Sequence, residues 1–167
     1  ERLPDEPFPV ALDWFNGRRY PNTDDAQKSA IVGLSLGMDA PYLYRSLVFG
    51  AVCGLYRLIE GFEKQQINIE KIIAVGGISK KSPYVMQMLS DLSNREICIL
   101  DSDQTCAQGA AMYAAVGAGI YETLEVAAEH MAAKCIKIYK PDSEKKDWYK
   151  KHYQEYLKLA EAVNKLS

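Results

Sequence analysis

Between Lys71 and Gly119 the chain alternates twice between a short apolar run and a longer stretch of helical spacing. Lys71-Ile72-Ile73-Ala74-Val75 is rich in β-branched residues and reads as a buried strand, closed by Gly76-Gly77. Ser79 to Ser82 is a polar loop that carries Lys80 and Lys81. From Ser82 to Leu92, Val85, Met86, Leu89 and Leu92 fall at helical intervals, with Pro83 in the first turn. Glu96-Ile97-Cys98-Ile99-Leu100 is a second strand, and Asp101-Ser102-Asp103 a turn with capping chemistry. Gln104 to Gly119 is rich in Ala and Gly, which predicts a helix packed close against its neighbours. A strand–helix–strand–helix order of this kind predicts an α/β fold, a mixed sheet with helices packed on it.

The flanks fit that reading. Four prolines (Pro4, Pro7, Pro9, Pro21) make residues 1–25 an extended, loop-rich lead-in, with a turn at Asn16-Gly17. Residues 30–36 have the composition of a short strand. A long helix follows, with Asp39 as N-cap and Pro41 in its first turn. Leu43, Leu47, Ala51, Leu55, Leu58 and Phe62 place one apolar stripe along it. Gly50 and Gly54 interrupt this helix at about 1 kcal/mol each relative to Ala, which close approach of another backbone would explain. Gly61 and Gln65-Gln66 mark its end. A further helix spans about 122–135, Pro141-Asp142-Ser143 breaks the chain, and 147–166 is a terminal helix. Tyr149, Tyr153, Tyr156, Ala160 and Val163 line one side of it. No internal repeat is visible.

Bulk properties narrow the function. At 167 residues, 48% apolar and 25% charged, the chain predicts one soluble domain over 1–167. A net charge of −2 argues against nucleic acid and anionic membranes as partners. No apolar run approaches the roughly 20 residues of a membrane span. The first residues, Glu1 to Pro9, lack an initiator Met and the character of a secretory signal. We therefore expect a piece of a longer, cytoplasmic protein. Cys53, Cys98, Cys106 and Cys135 form no Cys-x-x-Cys pair, and His130 and His152 are the only histidines, so metal-site spacing is absent. Reduced thiols, buried at Cys53 and Cys98, are the expectation.

Three strings carry candidate chemistry. In Val75-Gly76-Gly77-Ile78-Ser79-Lys80-Lys81-Ser82, glycine lets a backbone approach a ligand with no Cβ between. The following helix offers unpaired N–H groups to phosphate; Lys80 or Lys81 adds charge and Ser82 a hydroxyl. The string is neither the dinucleotide fingerprint nor a P-loop, and a diglycine after a strand is also an ordinary tight turn. The second string, Asp103 to Ala111, reads mainly as a packing surface. In the third, Leu12 to Arg19, Arg18 and Arg19 suit a phosphate as well as a carbonyl or carboxylate.

"LDWFNGRR" at 12–19, "VGGISKKS" at 75–82 and "SDQTCAQGAAMYAAV" at 102–116, in that order and spacing, resemble the C-terminal domain of the FGGY carbohydrate kinases over roughly residues 10–165. The resemblance implies a ribonuclease-H-like, actin-like ATPase lobe. It implies ATP and Mg²⁺ as cofactors and transfer of the γ-phosphate to a pentulose hydroxyl, with xylulokinase-like and glycerol-kinase-like lobes as near alternatives. It places Gly76, Gly77, Lys81 and Ser82 on the adenine and ribose-phosphate side of the nucleotide. Gln104 stands where many relatives carry Glu, Gln108 where Leu is common, and Tyr42 and Phe49 where an acidic or amide residue is usual. The resemblance also implies an N-terminal lobe that brings the phosphate-binding acidic turn, most sugar contacts and the general base. No Asp-x-Gly-Thr turn occurs in these residues, so no catalytic residue is expected here.

The implied partners are that N-terminal lobe, a sugar in the cleft between lobes, and a second copy of the chain. A different class of protein, a non-catalytic actin-like interaction module, fits the same fold. Such a module need not keep Gly76-Gly77. The aromatic terminal helix (Trp148, Tyr149, Tyr153, Tyr156) either covers this lobe's own core or meets the missing one.

Overall fold

The structure, a computed structural model, describes residues 8–166; Pro4 and Pro7 of the lead-in lie outside them. Helix α1 (Ala40–Lys64) starts where Asp39, extended at φ −91°, accepts a hydrogen bond from the Tyr42 amide at 3.3 Å, with Pro41 in the first turn. Its buried residues are Ser46, Phe49, Gly50, Val52, Cys53 and Tyr56. The expected stripe faces outward instead: Leu55, Leu58 and Phe62 are 48%, 42% and 45% exposed. Glycine explains the choice of face. A Cβ at Gly50 would run into the Ala11 carbonyl, and one at Gly54 into the Asp13 carboxylate. The incoming segment 10–13 therefore lies in the groove that these glycines open, and the aromatic flank beside it becomes the core.

That segment holds β1 (Val10–Ala11), antiparallel to β2 (Ile31–Val32). The strand expected over 30–36 is only these two residues, because Gly33 and Gly37 take φ of +87° and +89° and turn the backbone away. Asn16-Gly17 forms the expected turn, with Gly17 at φ +78° and its amide donating to the Trp14 carbonyl at 3.2 Å.

A separate mixed sheet has the order β3-β4-β5, from β3 (Ile72–Ala74), β4 (Ile97–Leu100) and β5 (Cys135–Tyr139). β3 runs parallel to β4, and β5 antiparallel to it. Ile72, Ile97 and Tyr139 share a row and point into the core. α3 (Pro83–Ser93) and α6 (Ser143–Asn164) pack with α1 on that side. α2 (Gly77–Lys81) is a single turn where a loop is expected. α4 (Thr105–Gly117) and α5 (Leu124–Met131) pack on each other.

Three further expectations are corrected. β3 is not fully buried, since Ile73 is 56% exposed. α4 is not tightly packed: Ala115 is its one buried residue among those described, and nothing lies within 4 Å of a Cβ built at Gly109 or Gly117. The stretch to 135 is not all helix. It ends at Met131, and Ile136-Lys137-Ile138 form a strand. The cysteines differ too. Cys98 and Cys135 form a disulfide joining β4 to β5, while Cys106 is free and exposed and Cys53 free and buried.

α6 settles the two readings of the aromatic helix. Tyr149, Tyr153, Tyr156 and Ala160 are buried in this lobe's own core. Each buried aromatic removes a large apolar area from water at about 25 cal/mol per Å². Two of the hydroxyls are paired: Tyr153 donates to Glu60 at 2.6 Å and Tyr156 to Asp13 at 2.7 Å. Asp91, 1% exposed on α3, accepts from the Asp142 amide at 2.8 Å and from Gln87 at 2.7 Å, which anchors the start of α6.

Candidate functional site

The site begins where β3 runs out. After Ala74 the backbone turns at Gly76, φ +87°, a conformation that disfavours any side chain. Ser79, buried, donates to the Gly76 carbonyl at 2.7 Å and closes the turn. Gly77 opens α2, and Ser82 links α2 to α3 without capping α3 through its hydroxyl. Nothing lies within 4 Å of a Cβ built at Gly76 or Gly77. The diglycine is therefore bare backbone facing open space. No internal packing demand explains its lack of side chains.

The two lysines part company. Lys80 pairs with Asp103 at 2.7 Å and reaches Asp101 at 3.8 Å, binding α2 to the β4–α4 turn. Its hydrogen bond and charge hold the Asp103 carboxyl below the usual Asp value, with Lys81 adding to the effect. Lys81 is exposed beside the same turn. Of the four expected nucleotide contacts, Gly76, Gly77, Lys81 and Ser82 thus sit on one continuous stretch, with Lys81 the ammonium not taken up by an ion pair in this turn. Asp101 and Asp103 were legible only as a turn. Their partnership with a lysine 23 positions away leaves no local signal.

The other candidates do structural work. Arg18 donates to the Asn22 carbonyl at 2.9 Å and to Asn164, and lies over Trp14. Arg19 pairs with Asp25 at 2.7 Å. Both arginines therefore have carbonyl or carboxylate partners, and neither joins the diglycine turn. Gln104 precedes α4 without a side-chain cap bond, and Gln108 donates to the Met131 carbonyl at 2.5 Å, tying α4 to α5. Phe49 is core, in edge contact with Phe8, and the Tyr42 amide serves the α1 cap. Among the described residues no group of three His, Cys, Asp or Glu is placed to hold a metal ion, and no helix is long and apolar enough to cross a membrane.

A family model described as "FGGY family of carbohydrate kinases, C-terminal domain" matches residues 2–118. A ribulokinase of Vibrio parahaemolyticus is 39% identical over 163 residues, 98% of this chain and 29% of that protein. A ribulokinase of Shouchella clausii is 38% identical over 160 residues, 93% of this chain and 28% of that protein. The chain thus spans less than a third of the length of these relatives. Among solved structures, a xylulose kinase of Brucella ovis superposes with a TM-score of 0.88 at 21% identity, covering all of this chain and 34% of its own. A ligand-bound xylulose kinase of Lactobacillus acidophilus gives 0.83 at 24%, covering 95% of this chain and 33% of its own. These likenesses show the fold.

Proposed function

Since this chain belongs to the FGGY family of carbohydrate kinases, as a C-terminal domain, we propose that it is the nucleotide-binding lobe of a longer, cytoplasmic ribulose kinase. The full reaction transfers the γ-phosphate of ATP to a hydroxyl of L-ribulose, giving L-ribulose 5-phosphate and ADP. A 5-carbon ketose is the substrate class named for the relatives at 38–39% identity. The observation that carries the reading is the open Gly76-Gly77 turn, where a flat base or ribose can lie directly on backbone.

The chain's own residues then have distinct tasks. Gly76 and Gly77 give van der Waals access. Ser82 offers a hydroxyl, and Lys81 offers charge to a phosphate. Lys80, held by Asp101 and Asp103, keeps the turn in place rather than meeting the ligand. Bound ATP would supply the transferable phosphoryl group, with Mg²⁺ offsetting its charge. The open diglycine and the exposed ammonium of Lys81 fit such an anion. The base that accepts the sugar hydroxyl proton, and most sugar contacts, belong to the N-terminal lobe, so closure of the two lobes assembles the site.

A thermal-shift titration with Mg-ATP tests this. A ligand that binds only the folded state stabilises by about 2.7 kcal/mol at a hundredfold excess over Kd. We expect a shift that disappears in Gly77→Asp while that variant stays folded, in this chain or in the full kinase that contains it. No shift in the full kinase at millimolar ATP would overturn the reading and favour a non-catalytic module. The 167-residue chain alone is expected to show no ribulose-dependent ADP release.

A further inference from the structure

α4 and α5 pack on each other more than on any other element, and the segment 101–134 that carries them leaves the end of β4 and returns at the start of β5. Few of its side chains are buried: Ala115 in α4 and Ala127 in α5 among those described. The neck of this segment is fastened twice. The Asp101 amide donates to the Lys134 carbonyl at 2.9 Å, and the Cys98–Cys135 disulfide joins the two strands across a separation of 37 positions. The strand register shifts between Ile99 and Leu100, so the ladder is irregular just where the disulfide ties it.

The same neck opens with the acidic pair that holds the diglycine turn. Asp103 and Asp101 meet Lys80 at 2.7 and 3.8 Å, and Lys80 belongs to α2, which begins at Gly77. Movement of the neck therefore reaches the turn through an ion pair. The two sulfurs differ in access. Cys98 is 1% exposed, whereas Cys135 lies in the exposed run at the start of β5. Their Cα atoms are 5.8 Å apart, a span that a disulfide bridges without backbone movement. Disulfides are rare in a reducing cytoplasm, and those found there mostly form and break in response to redox state. One sulfur open to solvent is what such exchange requires.

We propose that Cys98–Cys135 is a reversible redox site that sets how firmly the diglycine turn is held. Oxidised, it fixes the β4–α4 turn so that Asp101 and Asp103 keep Lys80 in place. Reduced, it loosens the neck and weakens nucleotide binding. The effect on nucleotide rests on the reading of this chain as the nucleotide-binding lobe of a cytoplasmic kinase. The reductant is a dithiol. One of its thiolates attacks the Cys135 sulfur, the S–S bond breaks, and Cys98 leaves with the electron pair and takes up a proton. Its second thiolate attacks the mixed disulfide and frees Cys135, which is protonated in turn. Two electrons have then passed to the pair, and the reductant ends as a disulfide. Hydrogen peroxide reverses the change. The Cys135 thiolate attacks one peroxide oxygen, giving a sulfenic acid and, with a proton, water. The Cys98 thiol then attacks the sulfenic sulfur, forms the disulfide and releases a second water.

The test uses the full-length kinase, reduced with dithiothreitol or oxidised with hydrogen peroxide and freed of reagent. Isotope-coded alkylation read by mass spectrometry scores each cysteine. We expect Cys98 and Cys135 to be blocked together after oxidation and alkylated together after reduction. Hydrogen exchange is the second readout: amides in 76–82 and 101–134 should exchange at least about tenfold faster in the reduced form. The Kd for Mg-ATP should rise at least about threefold on reduction, because apparent affinity falls with the fraction of molecules whose turn is in place. Cys135→Ser should keep the reduced values under both treatments, and Cys106→Ser should respond as the unsubstituted kinase does. Failure of the disulfide to form, unchanged exchange at 76–82, a Cys135→Ser kinase that still responds, or an equal Kd where Mg-ATP does bind would overturn the inference. If exchange at 76–82 follows redox state but Mg-ATP binds neither form, the nucleotide site fails and the redox site stands.

Discussion

The Tyr156 hydroxyl donates to the Asp13 carboxylate at 2.7 Å, joining residues 143 positions apart and tying the terminal helix to the lead-in segment. Tyr156 is 1% exposed. Burial, the Asp13 charge and the bond to it together drive the phenol well above its ordinary pKa, so it remains a donor across the physiological range. Tyr156→Phe keeps the ring and deletes the donor. It leaves a partly enclosed carboxylate short of one bond, at a cost of about 1–3 kcal/mol. Urea unfolding of the two forms measures it. An unchanged midpoint would mean that water replaces the hydroxyl at no cost.

The glycines divide into two classes with opposite predictions. Gly50→Ala would drive a Cβ into the Ala11 carbonyl, a backbone atom that cannot swing aside. The gain in helix propensity, about 1 kcal/mol, is outweighed by overpacking of roughly 1–3 kcal/mol or more, so Gly50→Ala destabilises. Gly109→Ala meets open space within α4, so propensity acts alone and stability of this chain rises by up to about 1 kcal/mol. Thermal melts of both variants decide it. A stabilising Gly50→Ala would contradict the docking of β1 in the α1 groove.

His152 makes stability depend on pH. It stacks on Phe8 and packs against Trp148, with ring centroids 4.9 and 3.9 Å apart. Burial lowers its pKa; a hydrogen bond from Nδ1–H to the Trp148 carbonyl at 2.9 Å partly opposes this, and Arg45 and Lys151 push it down further. The folded state therefore favours neutral imidazole. Its contribution is fully present above the ordinary value of about 6.5 and is lost as pH falls from there through the lowered folded value. Denaturation midpoints from pH 7.5 to 5 should decline, and His152→Phe should flatten that part of the decline. An equal slope in the variant would assign the loss to other groups.

Much of the fold was readable where the signal is local. The period changes at 71–100, the Asp39 cap with Pro41, the Asn16-Gly17 turn and the tyrosine stripe of α6 are all dictated by residues a few positions apart. β5 escaped because Ile136-Lys137-Ile138 is too short to separate from the end of a helix without seeing β4 beside it. The outward stripe of α1 escaped for a different reason. The helix is apolar on two flanks, and periodicity alone reports an apolar flank without saying which neighbour will cover it.

The sequence by itself determined the alternation of strands and helices, the helix caps and the place of the diglycine turn, since these follow from backbone freedom and hydrophobic period within one segment. Only the tertiary structure decided which flank of α1 is core, that Lys80 belongs to Asp101 and Asp103 while Lys81 forms no ion pair among the described residues, that Arg18 and Arg19 serve the scaffold, and that Cys98 meets Cys135. Each of those outcomes depends on which distant groups arrive within a few ångströms. Charge pairing, burial and cross-linking are settled by that proximity, which side-chain identity alone does not encode.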